Sequence, residues 1–256
     1  MNEPITHSSI EKCHQELLSM IKSVDKLFRE EGIVYSLCGG SLIGAVRHKG
    51  FIPWDDDMDI MLDRENFEKA RALLLDEKKA GIYGLRREIW VDRIHLRDSK
   101  NPRDAAIDMF VMDHCPDNVV LRNIKVFLIK ILQGMMKVDK SEGEISLINR
   151  IFLLGTRIMG LPFSADRKYR WYHCIAKIGN KSASRYVVGY TDSFNLLNTR
   201  YPANLMTKCI SHPFEDTELL ITSEFDSYLS IQYGDYMTLQ PLEEQVPNHS
   251  LRQRCQ

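Results

Sequence analysis

Four carboxylates fall within five positions, Asp55, Asp56, Asp57 and Asp59, beside Trp54, Met58, Ile60 and Met61. Like charges this close repel one another and are expensive to bury without a compensating cation. Asp57-Met58-Asp59-Ile60 alternates with a period of two, so a strand here turns Asp57 and Asp59 to one face and Met58 and Ile60 to the core. Asp55 shares their parity and Asp56 reads as facing away. Two or three carboxylates on one face suit Mg2+ or Mn2+, which prefer oxygen ligands. A calcium loop opening at Asp55 fails, because Ile60 stands where glycine is needed and Asn66 where the bidentate Glu is needed. A solvated acidic turn after Pro53 accounts for Asp55 and Asp56, but poorly for Asp59 between two apolar neighbours.

Metal sites for phosphate chemistry usually draw a further carboxylate from another strand. The run "AAIDMFVMD" offers Asp108, flanked by Ile107, Met109 and Phe110. An aspartate in such a run needs a cation or a basic partner, and Arg93 or Arg97 is the alternative to a metal. Asp113 reads as a turn residue at the strand end. Upstream, Gly39, Gly40 and Ser41 form a small-residue turn before a short helix. Such a turn admits a ligand close to the backbone, and the helix start offers N–H groups to a phosphate. A glycine turn, a helix, paired aspartates and a later aspartate follow the order of a nucleotidyltransferase-like core. Two metal ions in such a site position a phosphate and neutralise the leaving group.

These residues must be held by elements. Residues 9–31 read as an amphipathic helix with Ser9 as N-cap. "IVYSLCG" reads as a short strand, "SLIGAVRH" as a helix from Ser41, and "DMDIMLD" as a strand. "DRENFEKARALLLDEKK" reads as a helix capped by Asp63. "EIWVDRIHLRDS" and "DAAIDMFVMDHCP" are predicted strands joined through a turn at "KNPR". From Val119 to about Lys181 the pattern is mainly helical, with Arg122, Lys130, Gln133 and Lys137 on one face of the first helix. "RYVVGY" is a strand fragment, and a last helix is predicted over 214–234. The fold class is α+β: a mixed-sheet catalytic core over 1–118, then a mainly helical region over 119–256.

The 256 residues are 44% hydrophobic and 27% charged, with a formal net charge of -1, so no global basic field indicates a nucleic-acid partner. Six cysteines form no CxxC pair and no zinc-ligand spacing, and they read as reduced thiols. The N-terminal stretch lacks the apolar core of a signal peptide, and no apolar run is long enough to span a bilayer. A cytoplasmic protein is expected. The basic amphipathic stretch 119–137 suits an anionic membrane surface, although a core helix explains it as well.

The 24-residue run "GGSLIGAVRHKGFIPWDDDMDIML" resembles the signature of the LicD family, the bacterial phosphocholine transferases related to fukutin and the fukutin-related protein. "AAIDMFVMD" resembles the second acidic strand of that family, and "YLSIQYGDYMTLQP", residues 228–241, its closing motif. The resemblance implies transfer of a phospho-alcohol, typically phosphocholine from CDP-choline, to a sugar hydroxyl of a surface glycan, with release of CMP. It implies metal ligation by Asp57, Asp59 and Asp108, with Asp55 as helper and Asp108 near the attacking hydroxyl. Gly39, Gly40 and Ser41 would hold the diphosphate. Arg47, His48 and Lys49 would neutralise phosphate charge or form a solvated basic turn. Tyr233, Gly234 and Asp235 match the closing motif without an assigned role. Lipid-linked acceptors, common in the family, imply peripheral contact with the inner face of the membrane. Choline recognition often uses aromatic cages, for which Trp54, Trp90, Trp171 and Tyr172 are candidates. Two other readings stand beside this one: a true nucleotidyltransferase acting on a small molecule or protein, and a glycan-binding protein with a dead site.

Overall fold

The structure is a computed structural model, described over residues 7–99, 104–137, 147–180 and 184–246. Its class is α+β. The chain runs α1 (His7–Glu30), β1 (Ser36–Leu37), α2 (Gly39–Ile43) continuing as a π-helical turn over Gly44–His48, β2 (Met58–Asp63), α3 (Arg64–Leu75), α4 (Glu77–Ala80), β3 (Tyr83–Glu88), β4 (Val91–Leu96) and β5 (Ala106–Cys115). There follow α5 (Val119–Met136), α6 (Leu147–Gly160), α7 (Ala165–Ala176), β6 (Tyr186–Gly189), β7 (Tyr201–Pro202), β8 (Cys209–Phe214), β9 (Thr217–Thr222) and α8 (Phe225–Tyr233). The described residues divide into two compact units: Met1–Arg86, Asp92–Val111 and Asn204–Gln256 contribute to the first, and Arg87–Val91 with Met112–Ala203 to the second.

In the first unit the strand order is β1-β2-β5-β4-β3. Strand β1 pairs antiparallel with β2, Leu37 opposite Ile60, and β4 pairs antiparallel with β5, Arg93 opposite Asp108. The predicted alternation in β2 holds at its start: Met58 and Ile60 are fully buried and Asp59 half-buried. Helix α1 buries Cys13, Leu17, Ile21, Val24 and Phe28 at helical spacing. It begins at His7, two residues before the expected Ser9 cap. Asp63 caps α3 as predicted, its carboxylate accepting from the Asn66 amide at 2.7 Å.

Three expectations are corrected in this description. The helix predicted over 214–234 is a hairpin of β8 and β9 followed by the short α8. Thr217–Thr222 buries Leu219 and Ile221 while Glu218 is exposed, a period of two, and Glu215 turns the chain with φ of 52°. The helix predicted from Ser41 starts at Gly39. Strand β3 had no predicted counterpart. Asp113 lies inside β5 and is buried, accepting from Asn180 Nδ2 in the second unit, rather than sitting in a turn. The predicted "KNPR" turn lies outside the described residues.

In the second unit the Met112–Cys115 end of β5 pairs antiparallel with β6, and β6 with β7. Val126, Ile129, Leu132 and Met136 of α5 pack with Tyr172 and Val188 in one core. Asn118 caps α5, its side chain accepting from the Val120 and Leu121 amides. Gln133, expected beside solvated basic residues, is buried and donates to Tyr172 Oη at 3.0 Å and the Asp192 carbonyl at 2.8 Å.

Candidate active site

The glycines come first, because they set how near the carboxylates approach. Gly39 has φ of +56°, a left-handed conformation that strains other residues. A Cβ on Gly39 would lie 3.1 Å from Asp59 Oδ2 and 3.6 Å from Tyr233 Oη. A Cβ on Gly40 would lie 2.4 Å from Asp55 Oδ2. The turn therefore has no side chain because two carboxylates occupy the space beside it. Ser41 is buried, and its Oγ accepts from the Asp59 amide at 2.9 Å while the Cys38 amide donates to the Asp59 carbonyl at 3.1 Å. The short helix and β2 are thereby tied together at Asp59.

Asp55 is held from two sides. His14 of α1, stacked on Phe51 with ring centroids 4.3 Å apart, donates from Nε2 to the Asp55 carbonyl at 2.6 Å. The Asp55 carboxyl shares a hydrogen bond with Asp57. Burial first, then the Asp57 charge and that hydrogen bond, hold its pKa well above the ordinary carboxylate range. Asp56, expected to face away, is buried at 2% exposure. Its carbonyl accepts a long contact from Cys13 Sγ at 3.6 Å. It is part of the packing between α1 and the loop, a role that strand parity cannot show because β2 begins only at Met58.

Asp108 faces Arg93 across the β4–β5 ladder and is gripped by it bidentately: Nε donates to Oδ1, and Nη2 to Oδ2 at 2.9 Å. Strands β2 and β5 are neighbours in the sheet, so the two acidic strands of the sequence lie side by side. Among the described residues, no three His, Cys, Asp or Glu side chains form a ready-made metal cage.

The basic turn serves the closing segment. Arg47 donates from Nη1 to the carbonyls of Tyr236 at 2.7 Å and Thr238 at 3.1 Å. Burial lowers the pKa of Arg47; burial and the Arg47 charge lower that of His48, whose ring lies edge-on to Trp54 at 6.4 Å. Lys49 turns the chain with φ of 59°, and its carbonyl accepts from the Glu215 amide at 2.7 Å. Gly234 ends α8 with φ of +68°. Asp235 accepts from Thr238 Oγ1 at 2.6 Å, and Tyr236 Oη donates to Asp226 at 2.7 Å. A cavity of about 250 Å³ lies here, lined among others by Gly40, Arg47, Trp54, Asp55, Tyr233 and Tyr236. Thus Gly39, Gly40, Asp55, Asp57, Asp59, Arg47 and Tyr233 gather in one place, while Asp108 is engaged by Arg93. His14 carried no sequence signal, because it acts through a contact 41 positions away, whereas Tyr236 lay within the closing motif without being singled out.

Residues 32–122 match the family described as LicD/FKTN/FKRP, nucleotidyltransferase domain. A Haemophilus influenzae protein named lipopolysaccharide cholinephosphotransferase LicD is 26% identical over 241 residues, covering 85% of this chain and 87% of its own. Residues 32–122 thus carry a LicD-type domain, and the similarity to the Haemophilus protein runs beyond it. An uncharacterised Rickettsia typhi protein is 37% identical over 71 residues, 28% of this chain and 23% of its own. A second, from Rickettsia prowazekii, is 28% identical over 113 residues, 38% of this chain and 42% of its own. The LicD match ends within α5 and contains the glycine turn, the acidic loop and both acidic strands; the closing segment that Arg47 holds lies beyond it.

Proposed function

We propose that this chain is a metal-dependent phosphotransferase of the LicD type. It would move phosphocholine, or a similar phospho-alcohol, from a CDP-activated donor to a sugar hydroxyl of a cell-surface glycan and release CMP. The observation that carries the reading is the approach of Asp55 and Asp59 to Gly40 and Gly39, with Asp55 and Asp57 sharing a hydrogen bond. The name of the Haemophilus relative supports a phosphocholine donor and a lipopolysaccharide acceptor.

The donor set fits Mg2+ or Mn2+. All the groups are hard oxygens, and a pair of acids close enough to share a proton is one that a cation can bridge instead. Mg2+ is commonly held by one or two carboxylates plus substrate phosphates and water. Asp57 and Asp59 would hold the ion, with Asp55 assisting. Bound there, the metal would supply charge neutralisation for the diphosphate.

The chain's own residues do the rest. Gly39 and Gly40 leave room for the diphosphate to approach the backbone, and Ser41 braces Asp59. Arg47 holds the closing segment near the cavity and with Lys49 keeps positive charge beside the phosphates, while His48, its pKa lowered, offers a neutral ring. The acceptor oxygen attacks the phosphorus bearing the alcohol; the bond from that phosphorus to the bridging oxygen breaks, and CMP departs with it. The hydroxyl proton passes to a carboxylate, for which Asp108 is the candidate once released from Arg93. We place the reaction on the cytoplasmic side, where a CDP-alcohol is available.

The test offers CDP-choline, CDP-glycerol, CDP-ribitol and nucleoside triphosphates with Mg2+ or Mn2+ and follows CMP and pyrophosphate. CMP release that is lost in Asp57→Asn and Asp59→Asn is expected. Pyrophosphate from a triphosphate would replace this reading with nucleotidyl transfer. Because Asp108 is already paired, Asp108→Asn is expected to lower CMP release less than Asp57→Asn does.

A further inference from the structure

Helix α6 is inside out. Leu147, Ile151, Leu154 and Ile158 recur at intervals of four, three and four residues, one stripe along the helix, and are 72%, 63%, 60% and 58% exposed. The side that packs is opposite: Thr156 lies against Gly134 and Gly160 against Met135, both on α5, and half-buried Phe152 meets Phe194 edge-on. Helix α5 repeats the pattern. Val126, Ile129 and Leu132 are buried, while Val120, Ile124 and Phe127 on the other side are 61%, 50% and 56% exposed. An amphipathic helix ordinarily turns its apolar stripe to the core, and monomers seldom expose apolar patches of this kind without use.

The charge around these stripes identifies what covers them. Neither α5 nor α6 contains an acidic residue. On α6, Arg150 and Arg157 are exposed and flank the stripe; on α5, Arg122 and Lys130 are half-buried, Lys130 with its Nζ over the Phe194 ring. A second copy of the chain would bring these basic rims against each other, and like-charge contact opposes association. An anionic bilayer surface accepts both features, apolar side chains at the headgroup boundary and arginines at the phosphates. We propose that the outward faces of α5 and α6 form a docking surface for anionic phospholipid membranes. The inference rests on the second unit alone and stands apart from the phosphotransferase reading.

The test mixes the full chain with vesicles of phosphatidylcholine, alone or with phosphatidylglycerol, and measures the bound fraction by flotation. Binding to the phosphatidylglycerol vesicles, weakened by salt, is expected. Leu154→Glu and Ile158→Glu, both at solvent-facing positions, should each weaken it about tenfold or more with the melting temperature retained. Arg150→Glu should weaken it by roughly fivefold or more on the anionic vesicles. No binding to anionic vesicles, or binding unchanged in Leu154→Glu and Ile158→Glu, would overturn the proposal. So would self-association of the unmodified chain, seen by sedimentation without lipid and abolished by the same variants.

Discussion

At Gly40 one hydrogen in place of a methyl group decides where a carboxyl sits. A Cβ there would meet Asp55 Oδ2 at 2.4 Å, yet that oxygen ends a rotatable side chain, so it can swing aside at little cost to the fold. Gly40→Ala is expected to leave the melting temperature nearly unchanged while weakening Mg2+ binding and CMP release, read by calorimetric titration and product assay. A loss of stability without a loss of metal affinity would show that the contact is only packing. A carboxyl elsewhere allows a pH prediction. Burial raises the pKa of Asp192, beyond what its 2.6 Å bond from the Ser193 amide offsets. The folded state thus holds the proton more tightly than the unfolded one, and stability falls as pH rises from the ordinary carboxylate pKa through the raised value. Asp192→Asn, which keeps the acceptor oxygen, should raise the melting temperature at neutral pH and do so less in acid.

Elements turn such residues into a site. Asp63 ends β2 and caps α3, and Asn66, whose amide it binds, accepts in turn from the Val34 amide at 2.9 Å. Asp63→Ala should cost about 1 kcal/mol in denaturant unfolding, the ordinary worth of an N-cap. The helices and strands nearest the site were legible because their signals are local: a cap, a period of two through Met58 and Ile60, a period of 3.6 through α1 and α5. The β8–β9 hairpin was not, because "TELLIT" supports a helix as readily as a strand until its partner is present. Its partner supplies the missing hydrogen bonds, Leu220 opposite Ser211 and Ile221 opposite Ile210, and its side chains then alternate between core and surface. Gln133 was misjudged for a related reason, since helical periodicity gives a face but not what packs on it.

The whole molecule brings the two ends of the chain together. The first unit contains residues 39–59, Asp108 and the segment from Tyr233 onward, and Arg47 links the first of these to the last. If the carboxylates hold Mg2+ in the folded state only, the ion must raise apparent stability by mass action. Mg2+ at saturating concentration should raise the melting temperature, chelation should reverse the shift, and Asp57→Asn with Asp59→Asn should abolish it. An unchanged melting temperature in the unmodified chain would count against a metal at these residues. Among the described residues no helix is long and apolar enough to cross a membrane, so association through the faces of α5 and α6 would be peripheral.

The sequence by itself determined which residue types the proposed chemistry draws on: acidic residues at strand spacing, a glycine turn before them, and a third acidic strand, since residue type and local period are written in the chain. Only the tertiary structure decided which of those residues meet. It put Asp55 rather than Asp108 beside the glycine turn, buried Asp56, paired Asp108 with Arg93, and gave Arg47 to the closing segment. Those outcomes depend on contacts between residues up to 191 positions apart, and no local pattern encodes them.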